Sequence, residues 1–343
     1  YDSTFQNLSG VGILCGRSEG KLNHITVQWT QKGQKTVEVL LADRKESTEE
    51  NGSEKICGIG GIVGILAKKE ADGSLTELAE AEVGAITMNG SVTGRLPKPE
   101  TVKDGMSVEE QARQYQYGIG GIFGYACMGG GVKAEACENH ADVTGNLFTG
   151  GIGGHLYGSY RLPDDSETGS MDYGPALTGC RSDGLVLCNS RVRDAKEMDG
   201  RYFGGILGFG DRAWVKDSYS APGRSGSWRY DISKKDEMLL GKYVGGIIGY
   251  GNRSLIAGCS TKKGGYILGS DFVGGIAGGF SNDLRYGIQG TESIHVTTNA
   301  SYVIGNNYVG GIVGKNDGVK GAESALLNCV NQGVAAGYGR YIG

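Results

Sequence analysis

Apolar positions in this chain fall in short clusters, each closed by glycine, asparagine or aspartate. One hexad recurs seven times: Ile59-Gly-Gly-Ile-Val-Gly64, Ile119-Gly-Gly-Ile-Phe-Gly124, Thr149-Gly-Gly-Ile-Gly-Gly154, Phe203-Gly-Gly-Ile-Leu-Gly208, Val244-Gly-Gly-Ile-Ile-Gly249, Val273-Gly-Gly-Ile-Ala-Gly278 and Val309-Gly-Gly-Ile-Val-Gly314. Its closest copies lie 29 and 30 residues apart, which sets the bare repeat, and longer intervals are repeats carrying insertions. A second element reads apolar-x-x-(Cys/Ser/Thr)-x-(Asn/Ser/Thr). It occurs at 134–139, 185–190, 215–220, 256–261, 294–299 and 326–331. A third, two or three extended residues closed by glycine, occurs at 142–145, 266–269, 302–305 and 334–337, with 91–94 a further copy.

Clusters this short do not make helices, which need about 10 residues. Three apolar stretches per repeat, with turn residues between them, predict an all-β chain: a parallel β-helix or β-solenoid of about 30-residue, three-strand coils. At about 4.8 Å per coil, eight to ten coils form a rod of about 40–50 Å. The isoleucine after each Gly-Gly pair is expected to stack on its counterpart in the next coil. The pair itself is expected at a corner where a Cβ would clash or φ must be positive. The chain divides into an N-terminal coil with an inserted hairpin (1–56) and the repeats proper (57–343). Tyr341-Ile342-Gly343 open one more hexad, so the repeats are expected to continue past the chain end.

Insertions break the period in four places. Residues 24–41 alternate around Lys32-Gly33 and read as the hairpin. Residues 95–116 hold Ser107-Val-Glu-Glu110, a capping box that opens a short helix through Tyr115. Residues 155–180 form a loop with Tyr157, Tyr160 and an acidic run from Asp164 to Glu167. Residues 221–240 carry Trp228, Arg229 and Tyr230. Aromatic and arginine side chains on loops are the types enriched at binding hot spots. The candidate binding residues are therefore Trp228, Arg229, Tyr230, Tyr157 and Tyr160. The plainer alternative is that these aromatics pack their loops onto the rod.

Composition narrows the remaining chemistry. Glycine reaches 64 of 343 residues without a Gly-X-Y period, which excludes collagen. A net charge of −4 and the lack of a basic stripe exclude nucleic acid as the expected partner. No apolar run approaches the roughly 18 residues of a membrane span. No hexad leads into Gly-Lys-Ser/Thr, so the glycines are not a phosphate loop. The acidic run lacks the spacing of a calcium loop, and no Cys-x-x-Cys calls for zinc. No metal, cofactor or catalytic residue is expected. Of the eight cysteines, Cys137, Cys188, Cys259 and Cys329 occupy one repeat position, shared with Ser218 and Thr297. They are expected to be inward free thiols.

The hexads, together with the Asn-Cys and Val-x-Gly elements, resemble the GLUG-motif repeats of bacterial surface proteins. Among those is the region upstream of the protease domain in IgA1-specific metallopeptidases. The resemblance covers about 57–343 and implies an extracellular location, at the cell surface or secreted. It brings no catalysis, because none of the four histidines is followed by glutamate, so the zinc motif is absent. Three functions follow: a host-ligand-binding region using its insertions, with immunoglobulin, mucin or a glycan as partner; a passive stalk for a larger surface protein; or a polysaccharide-cleaving β-helix enzyme. The last needs clustered carboxylates on adjacent coils, and here the carboxylates fall in loops.

Overall fold

The computed structural model describes residues 10–27, 38–40, 56–71, 74–78, 82–97, 103–129, 132–158, 176–190, 197–221, 232–282, 293–318 and 325–343. Every strand of the rod pairs in parallel with its counterpart in the neighbouring coil, and eight coils are present among these residues. The sixth coil shows the unit: Lys242–Gly245, Ile248–Asn252, Leu255–Ala257, Ser260–Thr261 and Tyr266–Leu268. Each of the first four positions builds an eight-stranded ladder. The coil thus has five short strands where three apolar stretches were expected. Two of those stretches contain a corner: the hexad bends after Gly245, and the second element bends at Gly258.

The hexad corner behaves as its sequence suggests. Ile62, Ile122, Ile152, Ile206, Ile247 and Ile276 are fully buried, and Ile312 is half-buried. Their backbones form one ladder, from Ile62 N–H to Ile122 O at 3.0 Å through to Ile276 N–H to Ile312 O at 2.8 Å. Close approach, not positive φ, explains the glycine pair. A Cβ on Gly245 would lie 2.0 Å from Ile248 O, and one on Gly246 would lie 2.2 Å from Gly275 O. Facing the second glycine is the last residue of the second element: Asn139 against Gly121, Ser182 against Gly151, Ser220 against Gly205, Asn299 against Gly275 and Asn331 against Gly311. These buried polar groups bond up the rod, with Thr261 Oγ1 donating to Asn299 Oδ1 at 2.7 Å and Asn299 Nδ2 to Asn331 Oδ1 at 2.8 Å. Asn139 and Asn299 also close tight turns onto Ala141 and Ser301, which satisfies the rest of each amide.

Positive φ falls elsewhere. The corner between third and fourth strands is left-handed in every coil: His24, Ala85, Ala136, Gly179, Asp217, Gly258, Val296 and Asn328. Only two of the eight are glycine, so the turn is set by its ladder neighbours more than by local preference.

One register assignment needs correction. In the fourth coil Leu177 pairs with Ala134, so the second element there is Leu177–Ser182, and Cys180 stacks on Cys137. Cys188 lies instead in the fifth strand, opposite Gly145. Both segments fit the apolar-x-x-Cys-x-Ser pattern. The insertions on either side removed the spacing that would have separated them. The described part of the expected hairpin also goes elsewhere: Thr26–Val27 and Glu38–Leu40 join two different parallel ladders, and 28–37 lie outside the described residues. The capping box at Ser107 and Glu110 is present and opens helix α1, Val108–Ala112. It ends sooner than expected, with Tyr115 buried beyond it.

Among the described residues the fifth ladder comes in two pieces. Glu38–Leu40, Ser91–Thr93, Asp142–Gly145 and Val186–Cys188 form one, and Tyr266–Leu268, Tyr302–Gly305 and Ala335–Gly337 the other. Between them, in the fifth coil, the connection from Ser220 to Lys242 carries a 3-10 turn at Ile232–Lys234 and helix α2, Lys235–Met238.

All eight cysteines are free. Burial pushes the Cys127, Cys188 and Cys259 thiols up to about 12, and the Cys180 hydrogen bond, then burial, raises Cys137 as well. Thiolate is the reactive form, so a disulfide-exchange reagent should titrate eight thiols in denaturant without reductant but label the folded chain slowly. A denatured count well below eight would contradict this. Truncating a central corner residue, Ile247→Ala, is expected to cost about 2–5 kcal/mol in denaturant unfolding.

Candidate functional site

Beside each hexad the first two strands of a coil nearly touch. A Cβ on Gly118 would lie 2.0 Å from Gly124 O, and one on Gly58 would lie 2.1 Å from Gly64 O. The seam between these strands is filled by two rows of rings. The first row is the residue that precedes each hexad from the fourth coil onward: Phe148, Tyr202, Tyr243, Phe272, Tyr308 and Tyr341. All six have positive φ, from 44° to 67°. Successive rings stack, with centroids 5.3, 5.3, 4.6, 4.7 and 4.7 Å apart. The second row, Tyr125, His155, Phe209 and Tyr250, meets the first mostly edge-on, as at Tyr202–Phe209 and Tyr243–Tyr250.

Helix α1 reaches over this seam from the connection between the second and third coils. Tyr243 Oη donates to Glu109 Oε1 at 2.6 Å, and Arg113 donates to Asn252 Oδ1 at 2.8 Å. Asn252 passes the bond on to Asp211 Oδ1 at 2.8 Å. Arg253 grips both oxygens of that buried carboxylate at 2.9 and 3.1 Å. Sequence alone did not reveal this latch, because its partners stand more than 130 residues apart. The ring row was visible, however, as an aromatic before six consecutive hexads. Farther up the rod the seam opens. Phe272 is half-buried under the Lys315 ammonium, 5.5 Å from its centroid, while Tyr308 and Tyr341 are 37% and 66% exposed.

Of the five candidate binding residues, the structure places Tyr157. It sits at the end of strand Gly153–Gly158, half-buried, with the Arg212 guanidinium 5.9 Å from its ring centroid. It therefore belongs to the ladder and not to a loop, and the insertion proper begins at residue 159. Tyr160, Trp228, Arg229 and Tyr230 lie outside the described residues. Of the eight longest connections, seven leave at two corners, between second and third strands (67–81, 159–175, 283–292) and before the first strand (41–55, 94–115, 189–200, 221–241), and the eighth (28–37) between the fourth and fifth strands of the first coil. The latch contacts join these corners across the seam, since Glu109 and Arg113 come from one and Asn252 lies at the other.

Comparison with protein-family models, with curated proteins and with solved structures found no match.

His155 makes the seam sensitive to acid. It is buried, its Nδ1 lies 3.2 Å from Tyr117 O, and its Nε2 has no hydrogen-bond partner. Burial pushes its imidazole down to about 4. The unfolded chain therefore binds this proton first, so the stability is present above about pH 6.5 and is lost as pH falls through 4. The loss is expected to be about 2 kcal/mol at pH 5 and about 3 kcal/mol at pH 4. Denaturant melts of His155→Phe against the parent between pH 7 and 4 check this, and the variant should lose less.

Proposed function

We propose that this segment is a non-catalytic β-solenoid module of a bacterial cell-surface or secreted protein, and that it binds a host ligand through its insertions. The observation that carries this reading is the placement of the variable segments. The hexads commit their side chains to the core, while most of the long connections leave at the two corners that flank the seam. A partner would meet these insertions and not the hexads, whose backbone is held in coil-to-coil hydrogen bonds. Immunoglobulin is the partner suggested by the resemblance to GLUG-motif repeats, with mucin or a glycan as the alternatives. The buried carboxylates support a non-catalytic role. Asp211 is held by Arg253 and Asn252, and Asp199 takes bonds from Asn146 at 2.6 Å and Ser190 at 2.5 Å. Each is engaged in holding connections together. The four eight-stranded ladders favour a second reading, a passive stalk that positions another domain.

The two readings separate in one experiment. Immobilised chain is challenged with serum, mucin and a glycan array, and any captured partner is titrated against Trp228→Ala/Tyr230→Ala. The melting transition should stay nearly unchanged, because no described ladder residue is altered. Binding should weaken by more than about 2 kcal/mol. Unchanged affinity in a folded variant removes these residues from the site, and no capture at all leaves the stalk.

A further inference from the structure

Helix α1 lies over the seam but belongs to no ladder. Its far contacts are the side-chain bonds to Tyr243 and Asn252. Its near end runs from Arg113 through Tyr115 into the first strand of the third coil, Gln116–Gly120. That short stretch rests on His155. The Tyr117 carbonyl lies 3.2 Å from the imidazole Nδ1, and the Tyr115 and Tyr117 rings pack with centroids 5.0 Å apart.

His155 is 1% exposed, and the rings of Tyr125, Phe148 and Phe209 surround it with centroids 5.2, 5.2 and 5.0 Å away. The polar and charged groups that face it come from three places. The Tyr115 and Tyr117 carbonyls arrive with the stretch that leaves α1. The Tyr125 phenol belongs to the second strand of the third coil, and the Asp211 carboxylate to the second strand of the fifth. Both carbonyls and Asp211 favour a proton on the ring, yet burial outweighs them. Asp211 is itself held by Arg253 and Asn252, so it is not free to turn toward the imidazole.

An imidazolium donates from both nitrogens. Nδ1 has the Tyr117 carbonyl, whereas Nε2 has no hydrogen-bond partner in the closed seam. Reaching Nε2 by parting the coils would break backbone hydrogen bonds along several strands. Lifting α1 breaks no ladder bond, so a local opening there is the lower-energy route.

We propose that α1 is an acid-released latch: when His155 takes a proton, Glu109 and Arg113 let go of Tyr243 and Asn252 while the four eight-stranded ladders stay paired. The released state uncovers Tyr202, Tyr243 and Tyr250, so the rod presents in acid an aromatic groove that it hides near neutrality. This device needs no ligand and goes beyond the reading of the segment as a binding module. The sign follows from linkage, because the released state binds the proton at the higher pH. With the imidazole at its ordinary 6.5 once released and at about 4 while closed, the opening constant rises about 20-fold from pH 7 to pH 5 and about 100-fold by pH 4.

Hydrogen exchange of the full chain, read by mass spectrometry and normalised to an unstructured peptide at each pH, tests this. The amides of Gln111, Arg113, Gln114 and Tyr115 donate the hydrogen bonds of α1 and its last turn. Their protection is expected to fall about 20-fold from pH 7 to pH 5, while the hexad amides keep theirs. His155→Gln should fold and lose this response. Should it not fold, Glu109→Gln provides the second arm. That variant should start from lower protection and keep the pH response, because the titrating group is still in place. Equal α1 protection at both pH values would overturn the proposal. So would a parallel loss at α1 and the hexads, which is global unfolding, or a response that survives His155→Gln or vanishes in Glu109→Gln.

Discussion

The coil closes because a side chain is missing. At the second glycine of every hexad but the first, where Met88 faces Gly61, the polar residue that ends the second element occupies the space where a Cβ would stand. That contact joins the hexad corner to the opposite wall, and it places asparagine, serine or threonine in an otherwise apolar interior. Those groups must then find partners, and they find them in the same residue of the next coil or in a tight turn of their own. The glycine pair, the buried polar spine and the regular rise of the rod are one constraint seen from three directions. A larger residue at the glycine would push apart both walls and the coils above and below.

Much of this was legible because repetition amplifies weak local signals. A single Gly-Gly-Ile says little, but seven in phase identify a solenoid, place Ile247 and its counterparts in the core, and assign the intervals to insertions. The capping box at Ser107 was legible for a different reason: its two bonds span three residues and need nothing from the rest of the chain. The left-handed corner was hidden, because the ladder imposes it on Ala136, Asp217 and Val296 as readily as on Gly258. Cys180 and Cys188 were confused where two neighbouring segments fit one pattern and insertions had erased the spacing that ranks them.

The candidate site divides along the same line. Tyr157 was read as a loop residue because the strand of the fourth coil runs on past its hexad, and only the pairing with Cys127 and Asp211 places it in a ladder. The seam rings were each visible, yet their stacking depends on the rise of the coil, a property of the assembled rod.

Helix α1 changes how the rod would respond to force. In an ideal solenoid each coil holds only its two neighbours, and pulling on the ends peels coils away one at a time, each step costing about the same. The latch from Glu109 and Arg113 to Tyr243 and Asn252 skips that order, tying the entry to the third coil directly to the sixth. Coils three to six therefore share a load that would otherwise fall on a single interface. Under tension the rod is a spring with one stiff section in its middle.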